Sequence, residues 1–147
     1  MVALYLLFAF AAGTVLPFQA GLNAELARWL HSPVRAAFVS FVVGTIALLV
    51  LSVLVWRPLP SGARLAHTPW WVWIGGLLGA FYVAGSIVTA PRLGAATLIA
   101  LVVAGQSLAS LLVDQYGWVG FREHPVNPGR VAGMALVLAG VALVRIF

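Results

Sequence analysis

The sequence has no cysteine, no lysine and only three acidic residues in 147 positions. Without cysteine there is no disulfide and no thiol chemistry. Charged residues make up 7% of the chain, against about 25% in a soluble domain. Hydrophobic residues make up 63%. A chain this apolar cannot stay in water as a monomer. Enzymatic signatures are also missing. His31, His67 and His124 stand apart in connecting segments, without metal-ligand spacing. There is no phosphate-binding glycine loop and no Gly-x-Ser-x-Gly elbow. The sequence thus predicts a non-enzyme with no cofactor and no metal. The net charge of +5 comes from eight arginines. They fall at the ends of apolar runs, where lipid headgroups account for them, so nucleic acid is not an expected partner.

What is present is hydrocarbon-length helix. A helical span needs about 20 apolar residues. Five segments reach or approach this, at about 2–30, 33–56, 69–90, 95–116 and 128–147. The first has no basic n-region and further spans follow, so it reads as a retained helix and not a signal peptide. Pro17 interrupts it. Pro33 suits a first helical turn. Arg57-Pro58-Leu59-Pro60-Ser61-Gly62 reads as a loop, and Pro91-Arg92-Leu93-Gly94 as a tight connection. Trp29, Trp56, Trp70, Trp71, Trp73 and Trp118 fall near the proposed boundaries, where the membrane interface favours them. The predicted class is all-α integral membrane: a five-helix bundle forming one transmembrane domain over residues 1–147, in the cell membrane of a prokaryote.

Five spans put the termini on opposite sides. One side then holds Arg57, Arg64, Arg122 and Arg130, and the other Arg28, Arg35, Arg92 and Arg145. Positive charge sets orientation, so four against four specifies none. Chance can produce such a balance. The alternative is dual topology, in which the chain inserts both ways and pairs antiparallel with itself. Two chains would then make a ten-helix inverted-repeat transporter.

Polar groups inside a membrane face the bundle interior or a cavity. Gln19 and Asn23 share a face of the first span, four residues apart. Pro17 just before them frees a backbone carbonyl. Tyr82, Ser86 and Thr89 share a face of the third. Gln106, Ser110 and Asp114 form a polar stripe on the fourth. Substrate contacts are expected from Gln19, Asn23, Tyr82, Ser86 and Gln106. Interhelical hydrogen bonding is the other use such groups have. Asp114 is the sole acid of the last four spans and the proton-coupling candidate. Its alternative is an arginine pair or a loop contact at the helix end. Glu25 and Arg28, three apart, are expected to pair near the interface. Gly129, Gly133 and Gly140 make the last span a packing seam.

Gln19-Ala20-Gly21-Leu22-Asn23, Gly105-Gln106 with Asp114 and Gly117, and Pro125 followed by Arg130 and Gly133 resemble the YdcZ-type family of the drug/metabolite transporter superfamily. The glycine-rich stretch Gly133–Leu143 is similar to the last helix of the related small multidrug resistance proteins. The resemblance covers nearly the whole chain. It implies transport without naming the cargo, with export the direction; the expected function is a transporter of a small organic metabolite or drug-like compound, working by alternating access as an antiparallel homodimer. It also implies dimerisation through the last helix. The expected partners are a second copy, the bilayer and a small-molecule substrate. Small multidrug resistance proteins carry a membrane-embedded glutamate in the first helix. Here Gln19 stands mid-helix and Glu25 lies nearer the end, so that proton-exchange mechanism does not transfer. The competing readings are a small dual-topology ion channel and a non-transporting or heterodimeric membrane subunit.

Overall fold

The structure, a computed structural model, describes residues 2–55 and 61–147. The described residues form helices and no strands. They are α1 (Val2–Leu30), α2 (Pro33–Val55), α3 (Gly62–Ala66), α4 (Ile74–Leu93), α5 (Ala95–Tyr116) and α6 (Pro128–Ile146). A 3₁₀ turn, Trp70–Trp73, leads into α4, and another, Trp118–Gly120, follows α5. Five helical segments are long and apolar enough to cross a membrane: Val2–Leu30, Pro33–Val55, Trp70–Leu93, Ala95–Tyr116 and Pro128–Ile146. Trp56 and the start of the expected loop, Arg57 to Pro60, lie outside the described residues.

Local chemistry sets the helix ends. α1 closes on His31 at φ +50°. The Ser32 N–H donates back to the Ala27 carbonyl at 3.1 Å, and the His31 N–H to Arg28 at 3.4 Å. This pattern satisfies the last carbonyls of a helix with one left-handed residue. Ser32 then opens α2, its hydroxyl accepting from the Arg35 N–H at 3.3 Å. Asn127 does the same for α6, accepting from the Arg130 N–H at 3.0 Å. Both caps precede a proline, whose fixed φ suits the first turn.

The expected connection at Pro91–Gly94 is shorter than the sequence suggests. α4 runs through Pro91 and Arg92 to Leu93, and Gly94 alone makes the turn, at φ +77°. A proline in the last turn forfeits one hydrogen bond, here to the Ile87 carbonyl. Leaving the helix there would forfeit more backbone pairing. Glycine, with no Cβ, then supplies the left-handed conformation that ends it.

The chain divides into two compact units: Phe18–Arg92, and Met1–Pro17 with Leu93–Phe147. The division within α1 falls beside Pro17, which has no N–H for the Gly13 carbonyl. In the first unit Ala36, Ala37, Val83 and Ile87 form a buried cluster, flanked by Leu26, Ala27, Leu30, Tyr82 and Ala84. Small residues at 36 and 37 let helices approach closely. In the second unit α5 packs against α6. Elsewhere the large apolar side chains point outward, Phe8 and Phe81 among them. In water that surface would be a liability. Lipid or another protein surface would cover it in a bilayer.

Candidate functional site

A cavity of about 210 Å³ opens in the Phe18–Arg92 unit. Gln19 of α1, Ser40, Phe41, Gly44, Thr45 and Leu48 of α2, and Val83 of α4 line it. Helical spacing places the α2 residues together. Ser40, Gly44 and Leu48 recur every four positions, and Phe41 and Thr45 lie on the adjoining row. Gly44 keeps the wall open, since a Cβ built there meets nothing within 4 Å. The lining offers one amide, two hydroxyls and one aromatic ring, with no ionisable side chain.

The hydroxyls in this lining differ from others in the chain. Thr14, Ser86, Thr89 and Ser110 each donate to a carbonyl of their own helix. Ser40 and Thr45 make no such bond among the described residues, and neither does the Gln19 amide make one. Their hydrogen-bonding capacity is not spent within the described residues.

Of the expected contacts, Gln19 lines this cavity. Asn23, one turn on, is buried at 7% exposure and lies outside the lining. Tyr82 packs against the apolar cluster. Ser86 is buried and donates to the Tyr82 and Val83 carbonyls at 2.9 and 3.0 Å. Gln106, in the other unit, is exposed on α5. The α2 contribution was missed from sequence. Its signal was there, in hydroxyls at 40 and 45 around Gly44, but isolated hydroxyls in an apolar helix commonly bond their own backbone.

Asp114 has a defined partner. Its carboxylate is ion-paired with Arg130 in the first turn of α6, both side chains about three-quarters buried (24% and 29% exposed). Arg130 also donates to the His124 carbonyl at 2.6 Å. The His124 N–H donates to the Asp114 carbonyl at 2.8 Å. The Val126 N–H donates to the Gln115 side chain at 2.7 Å. The α5–α6 loop is thus fastened at both ends. Glu25 pairs with Arg28 on the exposed surface of α1. Gly133 and Gly140 have open space where a side chain would stand, and Gly129 sits beside the Asn127 cap.

Residues 4–143 match the family described as "Putative inner membrane exporter, YdcZ". The chain belongs to this family. It is 32% identical to the Inner membrane protein YdcZ of Escherichia coli (strain K12), over 97% of this chain and 95% of that protein. No solved structure matches. With its five apolar helices, this YdcZ-family chain is a multi-pass protein of the cell membrane and a membrane transporter.

Proposed function

We propose that the protein exports a small organic compound by alternating access, working as an antiparallel homodimer. The observation that carries the pairing is the arginine balance: four on each side of five spans give no preferred orientation. Two oppositely inserted copies supply ten helices related by an in-plane two-fold axis, the arrangement of inverted-repeat transporters. The family description supports export.

Within the Phe18–Arg92 unit, the proposed cargo contacts are Gln19 and Asn23 of α1 and Tyr82 and Ser86 of α4. Asn23 supports this, as a polar side chain on a residue buried within an apolar span. In the other unit Gln106 is a proposed contact and Asp114 the proposed proton-coupling residue. Its ion pair with Arg130 joins the proposed coupling residue to α6. The Gly129–Gly133–Gly140 seam of α6 is the proposed dimer contact.

The test is orientation. The wild-type chain has no cysteine, so one cysteine placed in the 117–127 loop is a clean reporter. An impermeant maleimide should label part of the population from each side of the membrane. Labelling from one side alone refutes dual insertion and, with it, the antiparallel homodimer.

A further inference from the structure

We infer that the α1–α2–α4 cavity is a binding site for a small, uncharged molecule that joins an apolar or aromatic body to a hydrogen-bonding head. The assignment rests on the transporter reading above and narrows its cargo.

Charge is the first discriminant. No acid or base lines the cavity. On α1, Gln19 is six residues from Glu25, about 9 Å along the axis, and Glu25 is already held by Arg28. On α2, Ser40 is five residues beyond Arg35 and Thr45 ten. An ion entering this lining gives up its hydration with no counter-charge to replace it, and that is costly. A neutral molecule meets no such penalty.

Size is the second. Drug-sized sites run to roughly 300–1,000 Å³. At about 210 Å³, this cavity lies below that range and matches a small metabolite.

Pairing is the third. Gln19 offers both amide donors and a carbonyl, while Ser40 and Thr45 each donate or accept. All three are uncommitted, and Phe41, Leu48 and Val83 supply the apolar wall. The polar groups sit on α1 and α2 and the apolar wall on α2 and α4, so a ligand with one polar end and one flat apolar end satisfies both.

Three molecules of nearly one shape separate these possibilities: benzamide, benzoate and benzamidinium. Each is titrated against the purified full-length protein in neutral detergent, with binding read by thermal shift and by saturation-transfer NMR. Benzamide should raise the melting temperature in a concentration-dependent way, and the two ions should not at equal concentration. Thr45→Val keeps the shape and removes the hydroxyl, and should weaken benzamide about 2- to 10-fold. Gln19→Leu should weaken it by at least as much. Gly44→Leu fills the cavity from an open position and should abolish binding.

Equal shifts from either ion, or benzamide binding unchanged in both Thr45→Val and Gln19→Leu, would overturn the assignment. Absence of any benzamide effect would overturn it as well, and is the result expected if a lipid chain or a second copy fills the cavity. Binding to detergent-solubilised protein requires neither transport nor dual insertion. A charge-selective site in a chain labelled from one side only would therefore leave the cavity standing and remove the antiparallel transporter. The reverse pair of results would do the opposite.

Discussion

Arg130, in the first turn of α6, is ion-paired with Asp114, sixteen positions earlier near the end of α5. The same guanidinium donates to the His124 carbonyl, and the His124 N–H returns to the Asp114 backbone. One acid therefore organises the link between the last two helices.

Removing that charge should loosen the loop. Hydrogen bonds to charged groups contribute about 1.5–3 kcal/mol. Asp114→Asn should thus let trypsin cut after Arg122 about tenfold faster in detergent, or more, with cleavage followed by mass spectrometry. Arg130→Gln should do the same. An unchanged cleavage rate in both variants would mean that the pair does not fasten the loop.

Gly117 ends α5 at φ +60°, and a Cβ there would lie 2.8 Å from the Glu123 Cγ. Two costs are superimposed, one of backbone and one of contact. The left-handed backbone alone costs a non-glycine residue about 1–2 kcal/mol. Gly117→Ala should therefore lower thermal stability, and Glu123→Ala in the same chain should restore part of it. Full restoration would show that the backbone cost is absent.

The sequence carried the membrane class and the five spans, because length and apolarity alone decide whether a segment can cross a bilayer. Boundaries were less legible. Pro91 looked like a terminator, yet α4 passes through it to Gly94, since one lost hydrogen bond is cheaper than several. The Asp114 pair was foreseeable as an alternative, because Asp114 stands two residues from the end of α5 and an arginine follows the loop. The cavity was half legible. Gln19 stood out as an amide in an apolar run. Ser40 and Thr45 did not, because only the structure shows which hydroxyls bond their own helix and which stay open.

Gly133 and Gly140 allow the proposed dimer contact to be tested apart from folding. A Cβ at either meets nothing within 4 Å of its own chain. Gly133→Leu and Gly140→Leu should leave the protomer's helicity and melting temperature nearly unchanged, while the dimer fraction in light scattering falls. A dimer fraction equal to wild type in both variants would put the interface elsewhere.

Orientation should respond to very few charges. Two lysines added between Arg57 and Thr68 tip a four-against-four balance to six against four. Single-cysteine labelling should then come from one side only, and activity should fall when this variant is expressed alone. A second variant biased the other way should restore activity on co-expression. Failure of the pair to complement would argue against opposed copies.

The uncharged lining of the α1–α2–α4 cavity has an energetic corollary. Membrane voltage does work only on charge, about 2.3 kcal/mol for each elementary charge per 100 mV. A neutral cargo in a neutral site feels none of it. For the proposed export, the driving force is then the cargo's own concentration difference, or an ion bound elsewhere in the chain. Where that ion is a proton, the pH difference supplies work in addition to any charge the proton moves. Vesicles with collapsed voltage and an intact pH gradient would keep exporting.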